Sequence, residues 1–225
     1  MAKILALSDR IVDKIYSTGV RERFSDVDLL LSCGDLPYSY LEYVVTMLSV
    51  PAFYVHGNHD RPEYVGENGL LEEPGGWTNI DGRVVQVGSL LIAGLEGSPR
   101  YQPRGKYQYT ETEFRQKVLR LVPWLLVNRA FHGRYLDILI THAPPRGIHD
   151  GDDLTHRGFA ALRWLLDRFP PRYLLHGHKH VYRPQATRTR YRGTVVVNVY
   201  PATVLDVEDG RRTGAKEHGR RASRG

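Results

Sequence analysis

Apolar residues along this chain come in short runs, and the runs alternate with stretches where apolar positions recur every three or four residues. Lys3–Leu7, Asp28–Cys33, Ala52–Val55, Leu90–Leu95, Leu136–Ile140, Tyr173–Leu175 and Val195–Val199 read as strands. Several are almost continuously apolar, the pattern of strands covered on both faces. Helical stripes lie between them. Ser39-x-x-Glu42 forms a capping box ahead of Leu41, Val44, Val45 and Leu48, and Thr110-x-x-Glu113 forms another ahead of Phe114, Val118 and Leu121. Phe159, Leu162, Leu165, Leu166 and Phe169 make a third stripe, stopped by Pro170-Pro171. All three stripes are expected to face a core. The alternation predicts an α/β fold. Gly97–Tyr109, rich in Gly, Pro, Arg and Tyr, reads as a long surface loop, a kind of segment that often carries function.

The chain has 225 residues, enough for one large core, and a single domain is expected over residues 1–207. Residues 208–225 read as a basic, disordered tail. Its six cations and three acids supply half of the formal net charge of +6, and no large apolar residue follows Val207. Such a tail is either solvated or touches nucleic acid. No apolar run is long enough to span a bilayer, so no membrane partner is expected. The N-terminal run meets Asp9 at once and reads as a first strand rather than a signal peptide. The one cysteine, Cys33, leaves no internal disulfide and fits a reducing cytoplasm.

The polar residues fall where the strands end. Asp9 follows the first strand, Asp35 the second, and Asn58, His59 and Asp60 the third. His142 follows the run at 136–140, and His178 and His180 follow the run at 173–175. Open α/β sheets bind ligands at the carboxyl ends of their strands, so five strand ends can converge on one point. A lone Asp after a strand is usually a turn, and a lone His is usually a satisfied polar group. Their joint occurrence makes that reading poor, because most of the ten histidines lie in these segments. The donor set mixes carboxylate, amide oxygen and imidazole. That suits Mn²⁺, Fe²⁺ or Zn²⁺ better than Ca²⁺, and the lack of thiolates argues against structural zinc.

The ordered set Asp9, Gly34-Asp35, Gly57-Asn58-His59-Asp60, Thr141-His142 and Gly177-His178-Lys179-His180 resembles the calcineurin-like metallophosphoesterase family, from Asp9 to about Pro201. The resemblance implies a four-layer α/β/β/α sandwich of two mixed β-sheets flanked by helices. It implies a cytoplasmic phosphodiesterase or phosphatase that splits a small phosphate mono- or diester with a hydroxide held between two divalent cations, Mn²⁺ first and Fe²⁺ or Zn²⁺ next. By that resemblance Asp35 bridges both cations. Asn58, His142 and His178 complete one site, and Asp9 and His180 hold the other. His59 sits beside them as general acid or phosphate clamp, with Asp60 orienting its imidazole.

One position departs. The family's first motif is Asp-x-His, and here it reads Asp9-Arg10-Ile11, which predicts a weaker first site. Asp13 is either a replacement ligand or a plain solvated or helix-starting residue. The departure keeps a second class open, a non-catalytic interaction module like the family-fold subunit of the retromer complex. A nuclease is the nearest enzymatic rival, given the basic balance. Arg146, His149, Asp150 and His156 are candidates for the substrate side or for a surface loop. Arg100, Tyr101, Arg104, Tyr107 and Tyr109 either clamp a phosphate, stack a base or pack their own loop. His56 and His176 read as structural, and Cys33 as a small core residue.

Overall fold

In a computed structural model of the chain, which describes residues 1–64, 69–180 and 187–208, each of the seven expected runs overlaps a strand. The first strands in chain order are β1 (Ala2–Leu7), β2 (Leu29–Ser32), β3 (Ala52–Tyr54), β4 (Glu63–Tyr64), β5 (Leu70–Leu71), β6 (Thr78–Asn79) and β7 (Val84–Val87). They are followed by β8 (Leu90–Leu95), β9 (Ser98–Pro99), β10 (Gln108–Tyr109), β11 (Ile138–Thr141), β12 (Tyr173–His176), β13 (Arg188–Tyr191), β14 (Thr194–Asn198) and β15 (Ala202–Val207). The helices are α1 (Val20–Arg23), α2 (Tyr38–Leu48), α3 (Glu111–His132) and α4 (Ala160–Arg168).

Two mixed sheets, ordered β15-β1-β2-β3-β6 and β13-β14-β12-β11-β8-β7, stack face to face. The period of two along a strand explains why the runs are apolar throughout. Ile4 and Ala6 of β1 meet Ile92, Ile138, Ile140 and Leu175 of the other sheet, while Leu5 and Leu7 turn outward to Tyr38, Leu41 and Val44 of α2. In the second sheet Leu91, Ala93, Leu139 and Leu174 turn outward to Phe114, Val118 and Leu121 of α3 and Leu162 and Leu165 of α4. Helix, sheet, sheet and helix therefore form four layers, as expected.

Several local expectations need correction. α2 starts one residue before Ser39, at Tyr38, with Pro37 in the N-cap position and no side-chain cap. Ser39 lies inside the first turn, where its hydroxyl donates to Glu63 at 2.8 Å, and Glu42 instead accepts from the Gly75 amide at 2.7 Å. The Thr110–Glu113 capping box is present in full at α3. Gly97–Tyr109 is not a free loop, because β9 and β10 pair within it and bury Ser98 and Gln108. β7, β13 and β15 escape the periodicity argument. β13, Arg-Thr-Arg-Tyr, is a polar edge strand held by its ladder to β14, and such edges carry no apolar run. Among the described residues no helix is long and apolar enough to cross a membrane. The basic tail, apart from Glu208, lies outside the described residues.

Candidate metal centre

β1, β2 and β3 run parallel in one sheet and β11 and β12 run parallel in the other, so their carboxyl ends bring the eight candidate residues together. The turns after these strands are tight. Asp9, Asp35 and His178 take left-handed backbone conformations, with φ of 63°, 58° and 66°. Strained φ of this kind concentrates at functional sites, and Asp and His tolerate it better than most residues. Two motif glycines are required by space. A Cβ at Gly57 would collide with the Asp35 carboxylate and the His142 ring, and one at Gly177 would collide with Ser8 and Asp9.

Four side chains meet at one atom. His142 Nε2 lies 3.0 Å from Asn58 Oδ1, 3.0 Å from His178 Nδ1 and 3.3 Å from Asp35 Oδ2. The far nitrogens of both rings donate to carbonyls, His142 Nδ1 to Cys33 at 2.8 Å and His178 Nε2 to Thr155 at 2.6 Å. Those bonds set the tautomers, so both near nitrogens point lone pairs at the same place as two oxygens. Asn58 is oriented too, since its amide nitrogen donates to the Tyr101 hydroxyl at 3.0 Å and leaves its oxygen facing His142. The point attracts positive charge. Burial pushes His142 down, but Asp35 and Asp9 outweigh it and carry the ring up to about 9. Burial pushes Asp35 up, and His142 outweighs that and brings the carboxyl down to about 2. His178 falls to about 3 through burial and the neighbouring His142. A proton or a divalent cation at this point answers the same lone pairs, so the residues fit a metal. Asp35, His142 and His178 offer ligand atoms all within 4.8 Å of one another.

Asp9 and His180 are looser. Asp9 is fixed by Ser8 Oγ at 2.5 Å and by the His178 amide at 2.9 Å, and burial holds its carboxyl above the ordinary range. His180 is half exposed, its Nε2 is 3.8 Å from Asp9 Oδ1, and its ring stacks on Tyr200 with centroids 4.4 Å apart. Ile11 is 37% exposed, so it is neither a ligand nor a core residue.

His59 is exposed on a cleft of about 620 Å³ that Asp9, Asp35, Asp153, His156, His178, Lys179 and His180 also line. Its amide donates to Asp35 Oδ1 at 2.7 Å. Asp60 differs from expectation. Its Oδ2 accepts from the amides of Gly57 at 2.7 Å and Asp35 at 3.1 Å rather than from the His59 imidazole. The tight turn after β3 aims the carboxylate back at the backbone. Burial and the Asp35 charge raise it to about 6.

The other candidates divide. Arg100 pairs with Glu113 at 2.9 Å, and Tyr107 stacks on His56 with centroids 4.1 Å apart, so this part of the loop is packed rather than clamping substrate. His176 is buried, and its Nε2 meets His149 Nδ1 at 3.0 Å. His56 is anchored to Glu96 at 2.9 Å, and Glu96 and Asp81 share Lys117 at 3.1 and 2.7 Å. Cys33 is buried, with its thiol pushed up by burial. Arg146 turns away to the Gly158 carbonyl. Tyr101, Asp150 and His156 are sequence candidates for the substrate side or a loop, and the structure adds that Tyr101 and the Thr155 carbonyl bond directly to Asn58 and His178.

A profile of the calcineurin-like phosphoesterases matches residues 3–182. An uncharacterized protein of Methanocaldococcus jannaschii is 27% identical over 194 residues, 81% of each chain. The lariat debranching enzyme of Schizosaccharomyces pombe is 29% identical over 153 residues, 56% of this chain and 32% of that enzyme. Among solved structures, a protein of Thermus thermophilus superposes with a TM-score of 0.56 at 16% identity over 88% of both chains, a likeness of fold.

Proposed function

The chain belongs to the calcineurin-like phosphoesterase family, and from that premise we propose that it is a metal-dependent hydrolase of small phosphate mono- or diesters. The observation that carries this reading is the meeting of Asp35, Asn58, His142 and His178 at one point on the floor of an open cleft. That the debranching enzyme among its relatives is named as an enzyme supports the catalytic side.

Asp35, Asn58, His142 and His178 would hold one divalent cation, and Asp9, Asp35 and His180 a second, with Mn²⁺ favoured by the donor set and Fe²⁺ or Zn²⁺ next. When bound, the cations supply Lewis-acid polarisation of the phosphoryl group and activation of the attacking water. The chain's own residues do the rest. Cys33 and Thr155 carbonyls keep both imidazoles in the ligating tautomer, and Tyr101 turns the Asn58 oxygen inward. His59 offers an imidazole N–H to a phosphoryl oxygen in the cleft, and Asp60 fixes the turn that carries it. The buried, unpaired Cys33 supports a reducing compartment such as the cytoplasm. Residues 1–207 serve as the phosphoesterase domain.

A second reading, an interaction module, has one observation in its favour. Leu119, Trp124, Leu126, Val127 and Phe131 of α3 are exposed, Phe131 at 82%. The test is metal-by-metal hydrolysis of an aryl phosphodiester and an aryl phosphomonoester, side by side. Turnover that needs the cation supports the hydrolase. A fully metal-loaded protein that splits neither ester favours the module.

A further inference from the structure

The family resemblance sets a carboxylate behind the His59 imidazole, at Asp60, yet Asp60 is committed to the amides of Gly57 and Asp35. A carboxylate does stand behind an imidazole elsewhere on the cleft wall. The two Asp153 oxygens lie 3.0 and 2.9 Å from His156 Nδ1. Asp153 is itself held by its own turn, because Oδ1 also accepts from the amides of Thr155 and His156, both at 3.0 Å. The Gly151 amide closes that turn on the His156 carbonyl at 2.8 Å, and Lys179 donates to the Asp150 carbonyl. The same turn presents the Thr155 carbonyl to His178. It is therefore braced against the metal centre, and the His156 and His178 ring centroids are 5.7 Å apart.

A His–Asp pair on an open surface is ordinarily only a solvated ion pair. This one lines the cleft together with Asp9, Asp35 and His59, and the His156 side chain is 44% exposed there. Its Nδ1 is taken by Asp153, and Nε2 has no protein partner among the described residues. The bond to His156 also holds the Asp153 carboxyl below its ordinary range, so an ionised carboxylate backs the ring.

Resting on the phosphoesterase reading above, the geometry points to His156 as the proton donor to the leaving-group oxygen, with Asp153 as its positioning residue and His59 holding the phosphoryl oxygens. The water oxygen bonds to phosphorus as the bond from phosphorus to the organic oxygen breaks. The electron pair of that bond stays on the departing oxygen, which takes the proton from His156 Nε2. The imidazolium becomes a neutral imidazole that still donates Nδ1–H to Asp153. It regains a proton from solvent, and the attacking water releases one. The substrates that need this donor are esters of alcohols, including sugar hydroxyls, because an alkoxide leaves poorly without a proton.

The 4-nitrophenyl and methyl esters of one phosphate test it, since nitrophenolate departs unprotonated and methoxide does not. His156→Gln and His156→Ala are expected to lower methyl-ester turnover by about 10²-fold or more and to leave the nitrophenyl ester within about threefold of wild type. Asp153→Asn is expected to show the same selectivity in kcat, less strongly. Metal content by elemental analysis and the affinity for inorganic phosphate by calorimetry are expected to match wild type in all three. Equal losses on both esters, or loss of metal with the side chain, would make the turn structural and overturn the proposal. Variants that split the methyl ester like wild type would overturn the role of His156 alone. A wild type that splits neither ester would overturn the phosphoesterase reading and this role with it.

Discussion

The Gly-His-x-His motif contributes one imidazole to each half of the proposed metal centre, and the two halves are built differently. His178 is 7% exposed and is tied at both nitrogens, while the His180 side chain is 49% exposed and rests on a ring stack and a 3.8 Å approach to Asp9. The buried half is assembled by folding. Its proposed ligands follow β2, β3, β11 and β12, and the ordering entropy of those side chains is met by the core around them. The open half has fewer constraints and lacks an imidazole at Ile11. Two residues apart in sequence, one histidine is preorganised and the other is free to order when a ligand arrives.

The strongest way to break this comparison is to remove the residue common to both halves. Asp35→Ala is expected to abolish metal binding and reduce hydrolysis to background, and chelation of the wild type is expected to do the same. Elemental analysis alongside turnover checks it, and full activity in metal-free protein would end the two-cation mechanism. His59→Ala should lower turnover by about 10²–10³-fold while metal content holds, because it removes a phosphoryl donor and no ligand. Loss of metal instead would move His59 into the coordination set.

Lys117→Met probes what holds the buried half. It leaves Asp81 and Glu96 without their shared cation, with Glu96 anchoring His56 beside Gly57, and is expected to cost about 3–5 kcal/mol in denaturant melts. Burial pushes Glu96 up, but His56 and Lys117 outweigh it and hold the carboxyl at about 2. A carboxyl held down in the folded state stabilises above its unfolded range and loses that contribution as pH falls toward 2. The gap between wild type and variant should therefore narrow on acidification, and a gap that widens would contradict the ion-pair account.

Ile11→His should act on the open half alone. At 37% exposure the new ring meets solvent rather than core, so stability should change little. Calorimetric titration with Mn²⁺ is expected to show two unequal steps in the wild type, with the weaker tightened roughly tenfold, about 1.4 kcal/mol, in the variant. A tightened strong step instead would reverse the assignment of halves.

The sequence alone determined the seven central strands, the Thr110 cap, and the donors waiting at the strand ends in order, because each of these is written in residues close together along the chain. Local periodicity says which face of a strand is apolar and where it stops. It is silent about partners far away in sequence. The edge strand β13, polar by composition, exists because β14 offers it a ladder. Ser39 lost its expected cap to a contact with Glu63, 24 residues on. Tyr101 turns Asn58 across 43 residues, and Thr155 fixes the His178 tautomer across 23. Asp60 and Asp153 are each close in sequence to a histidine, yet only Asp153 stands behind its imidazole. Tertiary structure decided these pairings, since the tight turn after β3 directs Asp60 to amides while the 150–156 turn directs Asp153 to a ring. Residue type and order can be read along one dimension, whereas burial, tautomer and orientation follow from distances that only the packed sheets define.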